Sequence, residues 1–251
     1  MTRLACQTIT FGHDQLMNHY PDVLQHVRDA GYEGVETTFA ALRQYQDDLP
    51  SLRERTGLAI VACHVGYPLV EEALADKAAE TGLLHVLHAS GAQFLLVSDA
   101  AHEEVETYRT LGQTLARLGQ RLREVNVRLL FHNHRREVED DMVRLKALIE
   151  DAPDHEVDLA IDFGWVLQAK ADPQAVVRTF RDRIGYVHLK DARADGTWTE
   201  LGTGALPIDT VVAAIRPLNL PWWTTEQDTS QLVPELSITS NFRFLDPRRR
   251  D

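Results

Sequence analysis

Short runs of apolar and β-branched residues alternate with longer amphipathic runs along this chain, about eight times over. The first short run, residues 4–9, predicts a strand, and 13–30 predicts the helix after it. A second strand over 33–37 is announced by Gly31, Tyr32 and Gly34. A third, 58–65, leads through Pro68 into a helix ending near residue 89, and 93–98 predicts a fourth strand. The helix over 103–125 is the clearest: Val105, Tyr108, Leu111, Leu115, Leu118, Leu122 and Val125 recur every three or four residues and so line one helical face. Strand five covers 128–131, followed by a helix over 140–149. Runs at 157–161, 184–189 and 220–225 complete the strands, with helices near 173–181, 208–215 and 229–241.

Strands separated by helices pair in parallel through right-handed crossovers. A count near eight favours closure into an α/β fold of the (β/α)8 TIM barrel type over an open doubly wound sheet. No Gly-x-Gly-x-x-Gly follows the first strand, which weakens the dinucleotide-binding alternative. No linker, low-complexity tract or internal repeat interrupts the alternation, so residues 1–251 read as one domain. With 44% hydrophobic residues, a chain of this length can bury one large barrel core.

The net charge of −12 is spread along the chain, which repels nucleic acid and anionic membranes and predicts neither as a partner. Cys6 and Cys63 are too few for a disulfide framework, so a reducing cytoplasm is the simpler setting. Residues 1–6 lack the apolar stretch of a signal peptide, and no run approaches membrane-spanning length. The basic cluster after Pro247, residues 248–250, reads as a solvated tail.

In a parallel barrel, chemistry sits where strands end and the following loops begin. The polar residues at those places are Gln7, Glu36, His64, Asp99, His132, His134, Asp162, His188 and Glu226. One such residue would mean little; here nearly every strand supplies one. Asp162, His188 and Glu226 end three successive apolar runs and mix carboxylate oxygen with imidazole nitrogen, as a divalent cation prefers. Asp162 is also a good cap for a following helix. Glu226 would be costly to bury without a cation or a base beside it. His132 and His134, two apart on a strand, point the same way. A fourth ligand comes from this stretch, either His132 at the strand end or Glu137 from the loop, and spacing does not choose between them.

Taken in order, these stretches resemble a known family. They are Gly31-Tyr32-Glu33-Gly34-Val35-Glu36, Phe131-His132-Asn133-His134, Asp162-Phe163-Gly164-Trp165, His188-Leu189-Lys190-Asp191, Leu201-Gly202-Thr203-Gly204 and Glu226-Gln227-Asp228. The set is similar to the xylose isomerase-like barrels grouped as sugar phosphate isomerases/epimerases. That group includes ketose 3-epimerases, hydroxypyruvate isomerase, inosose dehydratase and, more distantly, endonuclease IV. The resemblance implies one divalent cation, often manganese, with magnesium, cobalt or zinc as alternatives. Its ligands would be the strand-five group, entered here as His132, with Asp162, His188 and Glu226. It also implies a sugar or keto-polyol substrate and allows a homo-oligomer. Two departures stand out. The epimerases carry a proton-moving Glu where this chain has His132, and epimerases and the endonuclease carry His where this chain has Trp165. His-Asn-His with Asp-x-x-Trp resembles the branch associated with keto-sugar and keto-inositol elimination or hydration.

Isomerisation, epimerisation and β-elimination next to a carbonyl all begin with removal of the α-proton while a cation stabilises the developing oxyanion. Glu226 is expected to ligate the metal and exchange protons, with His134 or Glu137 as the opposing acid/base. His64, Glu36, Lys190, Arg193 and Trp165 are the expected substrate contacts. The leading expectation is a sugar isomerase/epimerase. The alternative is a lyase that removes water from a keto-sugar or keto-inositol. A DNA endonuclease fits poorly, because it needs a histidine at position 165 and this surface is acidic; a barrel that only binds its ligand is the remaining class.

Overall fold

The computed structural model describes residues 2–100, 104–152 and 156–250. Eight parallel strands close into a barrel, each bonded to its neighbours in chain order, as the alternation predicts. They are β1 (Arg3–Gln7), β2 (Gly34–Thr38), β3 (Ala59–Gly66), β4 (Phe94–Ser98), β5 (Arg128–His132), β6 (Asp158–Asp162), β7 (Ile184–Leu189) and β8 (Trp222–Thr225). β8 pairs with β1 in register Trp222 to Arg3, which shuts the ring. β4, β6, β7 and β8 are buried along their whole length, because the lumen covers one face and helices cover the other.

Two apolar layers result. The lumen is filled by Ala5, Val61, Ala62, Phe94, Leu96, Leu130, Ala160, Tyr186 and Trp222. The large indole of Trp222 fits because β2 begins with Gly34, where a Cβ would come within 2.5 Å of Val61 and 2.9 Å of Trp222. The outer layer packs the helices on the strands. The helix predicted over 103–125 is Val105–Arg123, and residue 103 lies outside the described residues. It lies against the helix Val143–Glu150 so closely that a Cβ on Gly112 would overlap the Leu148 carbonyl oxygen.

Several expected elements differ in detail. The helix expected over 13–30 is two helices, Gly12–Asn18 and Tyr20–Ala30, broken at His19 where Pro21 opens the second. The one expected up to residue 89 breaks at Asp76, whose extended backbone and carboxylate cap Ala78 N–H at 2.8 Å. The helix expected over 229–241 is Pro234–Leu245. Phe163–Gln168 is the following helix for which Asp162 is a good cap, whereas the short helices Phe39–Gln44, Leu49–Thr56 and Arg135–Val138 were not expected. Nor was the small antiparallel ribbon of Asp191–Ala192 with Trp198–Thr199, just beyond β7. No helix among the described residues is long and apolar enough to cross a membrane. Cys6 and Cys63 are buried and unpaired.

Candidate metal centre

Register brings the candidate ligands to one level. Asp162, the last residue of β6, pairs with His188 on β7, and His188 pairs with Thr224, two residues before Glu226. His132 ends β5. One donor atom from each of His132, Asp162, His188 and Glu226 lies within 4.8 Å of the other three, and all four residues are buried. His132 Nε2 is 3.0 Å from His188 Nδ1, 3.5 Å from Asp162 Oδ2 and 3.8 Å from Glu226 Oε2. His188 Nδ1 lies 2.5 Å from Glu226 Oε2 and 4.0 Å from Asp162 Oδ2.

Asp162 divides its carboxylate between two tasks. Oδ1 caps the helix Phe163–Gln168 by accepting Gly164 N–H at 2.7 Å and Trp165 N–H at 3.1 Å. Oδ2 is buried without a hydrogen bond, as is His132 Nδ1, and Glu226 Oε2 has only the close approach of His188 Nδ1. Buried oxygens left unsatisfied are costly. These two oxygens facing two imidazole nitrogens are what a first-row divalent cation would satisfy, so the residues fit the group.

Asn133 serves the scaffold: its Oδ1 accepts Asp162 N–H at 3.0 Å, tying the end of β5 to β6. Glu137 is turned away from this centre. One oxygen accepts His134 N–H at 2.8 Å and the other accepts the Tyr108 hydroxyl at 2.5 Å. Between the two strand-five candidates, geometry therefore brings His132 to the cluster and leaves Glu137 outside it. His134 lies at the cavity, with Nδ1 3.5 Å from Asp99 Oδ1 and its ring edge-on to Trp165.

Glu36 does not reach the cavity as a substrate contact would, because it is fully buried behind two imidazoles. Its Oε2 is 2.7 Å from His188 Nε2 and its Oε1 is 2.9 Å from His64 Nδ1. His64 borders the cavity, yet both ring nitrogens are engaged, Nε2 lying 3.0 Å from Ser98 Oγ. Arg193 is exposed in the turn of the small ribbon and is not among the residues lining the cavity, because that turn carries it outward. Lys190, by contrast, is buried. Its ammonium bonds Asp228 at 2.5 Å and Glu226 Oε1 at 3.1 Å, lies 3.8 Å from Asp162 Oδ2, and rests over Trp198 at 4.1 Å and Trp165 at 5.0 Å. Asp228 and Trp198 were missed as site residues. Asp228 follows Glu226 by two and could have been found on that spacing; Trp198 sits in a ribbon with no periodic signal.

Electrostatics divide the site. Burial, reinforced by His188 and His64, lowers His132 well below the ordinary imidazole value, so it stays neutral with a lone pair to give. Burial also opposes charge on His188, but Glu36 and Glu226 override it and raise that group. Burial would raise Glu36, yet His188 and His64 hold it down to about 2. Glu226 is likewise held low against burial by Lys190 and His188, whereas burial pushes Asp162 up to about 6 despite Lys190. Burial opposes the Lys190 charge, but Glu226, Asp162 and Asp228 raise it further, so it remains an ammonium. Above these groups opens a cavity of about 310 Å³, at the small end of ligand pockets. Its wall includes His64, Asp99, His134, Trp165, Lys190, Glu226 and Asp228.

A closed parallel barrel with a donor cluster at the carboxyl ends of its last four strands defines an enzyme-type site on this fold. A profile described as xylose isomerase-like TIM barrel matches residues 24–246, and the chain belongs to that family. Inosose dehydratase from Geobacillus kaustophilus is 26% identical over 220 residues, covering 77% of this chain and 70% of that protein. Inosose dehydratase from Lacticaseibacillus casei is 23% identical over 197 residues, covering 64% of this chain. That second match spans just under two thirds of its relative's length, 66%. A sugar phosphate isomerase/epimerase from Parabacteroides distasonis superposes with a TM-score of 0.84, covering 99% of this chain and 94% of that one. At 14% identity that likeness concerns the fold.

Proposed function

We propose that this protein is a divalent-metal-dependent carbon–oxygen lyase that dehydrates a sugar-sized keto-polyol. The observation that carries the reading is the strand-five position. A two-carboxylate proton exchange needs a free carboxylate there, but His132 occupies the place and Glu137 is held by Tyr108 and the His134 backbone. The isomerase/epimerase reading, placed first from sequence, therefore moves to second. The inosose dehydratases among the sequence relatives support the same order.

In this reading His132, Asp162, His188 through Nδ1, and Glu226 hold one cation. When bound, it would supply Lewis-acid stabilisation of negative charge on the substrate carbonyl oxygen, worth several kcal/mol. Two imidazoles among four ligands favour manganese, cobalt or zinc over magnesium, which prefers oxygen. Lys190 keeps its charge and serves as a fixed positive partner for substrate oxygens rather than as a proton donor. His134, at the cavity and oriented by Asp99, takes the proton next to the carbonyl; Glu226 exchanges protons on the cation side. The carbon–hydrogen bonding pair becomes the new double bond, and the β-hydroxyl leaves as water with the proton that His134 has taken up. Trp165 and His64 form the wall against which the carbon skeleton lies. The small cavity and net charge of −12 favour a small molecule over nucleic acid or membrane as partner. Two unpaired buried cysteines are consistent with a cytoplasmic setting, and the family resemblance with a homo-oligomer.

The test is a panel of ketoses and keto-inositols incubated with the manganese-loaded protein. Ultraviolet absorbance of a conjugated enone or dione, dependent on metal, is expected from a keto-inositol. Interconversion of ketoses without that absorbance would instead establish the isomerase/epimerase.

A further inference from the structure

Glu36 is a carboxylate on β2 that reaches across the lumen to a residue on β7, although these strands are not neighbours. A fully buried carboxylate is expensive unless its charge is answered. No lysine or arginine answers this one among the described residues. Its partners are His188 Nε2 at 2.7 Å and His64 Nδ1 at 2.9 Å, with Tyr186 also beside it. It has no exposed surface to offer a ligand. Its two oxygens accept from different rings, which fixes the plane of the carboxylate. His64 is itself held from the far side, where its Nε2 lies 3.0 Å from Ser98 Oγ.

We propose that Glu36, clamped by His64, is the positioning residue that decides which nitrogen of His188 faces the metal. By accepting Nε2–H it keeps the proton there and turns the Nδ1 lone pair toward His132, Asp162 and Glu226. A carboxylate behind a ligating imidazole sets tautomer and ring orientation and raises ligand basicity. The inference rests on the metal reading above.

Cadmium serves as the probe. In protein labelled with nitrogen-15 at histidine and loaded with cadmium-113, cadmium–nitrogen coupling is expected at Nδ1 of His188, with Nε2 still carrying its proton. Glu36→Gln keeps the shape, but an amide accepts from only one of the two rings. By chelator competition it should bind cadmium about 10- to 100-fold more weakly, with an unchanged circular dichroism spectrum. Coupling at Nε2, or an affinity within twofold of the parent, overturns the role assigned to Glu36. Should the variant fail to fold, the labelled parent protein still decides. Asp162→Ala separates the two readings. If it abolishes binding while Glu36→Gln does not weaken it, only the positioning role fails. If the parent protein binds no cadmium, both fall.

Discussion

Asp191 follows Lys190 directly, and replacing it with asparagine should show how the wall of the site is held. Its Oδ1 accepts Ala192 N–H and Leu206 N–H at 2.8 Å each, and its Oδ2 accepts Gly202 N–H and Gly204 N–H at 3.0 Å each. The loop wraps so tightly that a Cβ on Gly204 would overlap the carboxylate, and Gly202 takes φ +81°. Asp191→Asn keeps the volume but puts an NH2 where one oxygen accepted two N–H groups, so two charge-assisted bonds are lost whichever way the amide turns. At about 1.5–3 kcal/mol each, two bonds set an upper range near 3–6 kcal/mol. Gly202 and Gly204 are exposed, and water can recover part of that loss. The net cost should be about 2–4 kcal/mol, or roughly a 5–10 °C drop in melting temperature for a chain of this size. Urea unfolding gives the value from the shift in midpoint at unchanged slope. A cost below about 0.5 kcal/mol would refute the reasoning, because it would mean the two displaced N–H groups find equal partners elsewhere.

Metal analysis of the purified protein should find about one divalent ion per chain, lost in both Asp162→Ala and His188→Ala; retention in either counts against that residue as a ligand. His134→Ala should keep the metal and lower keto-inositol dehydration by about two to four powers of ten, as loss of an acid/base group does; unchanged turnover would remove His134 from the chemistry. Leu96→Asn places an amide in the barrel lumen at a fully buried position and should cost several kcal/mol by thermal melting. Gly112→Ala should cost about 1–3 kcal/mol, since the Leu148 carbonyl is backbone and its helix must move as a whole.

The barrel was legible because a parallel strand covered on both faces reads as an unbroken apolar run. For β7 the run and the strand coincide at residues 184–189, and for the helix Ile208–Ile215 the match is also complete. Breaks at His19 and Asp76 were not legible, since amphipathic spacing continues through both and only local backbone capping divides the helices. At the site, Asp162, His188 and Glu226 could be named because each ends such a run. The fate of Glu137 could not be. It depends on Tyr108, 29 residues earlier, whose hydroxyl draws the carboxylate away. Glu36 reads like any rim carboxylate, and only the closed ring reveals that His188 lies opposite it.

The balance of buried charge joins these observations. Glu36, Asp162, Glu226 and Asp228 gather four carboxylates at and beneath one small cavity, and among the described residues the one permanent cation paired with them is Lys190. Arg193, which could have been a second, points to solvent from its turn. Lys190 answers Glu226 and Asp228 most closely, at 3.1 and 2.5 Å, leaving Asp162 Oδ2 without a hydrogen bond and Glu226 Oε2 against His188 Nδ1 alone. Protonation can relieve part of that excess, and the upward shift of His188 is that response. A divalent cation relieves more of it at one point and displaces such a proton, since ligands bind metals in their deprotonated forms. The same imbalance sets the tasks of the neighbours. With Glu36 holding the far nitrogen of His188 and Lys190 fixed over its indoles, two imidazoles outside the cluster border the cavity; both ring nitrogens of His64 are engaged, so in the proposed reaction His134 is the one that moves a proton.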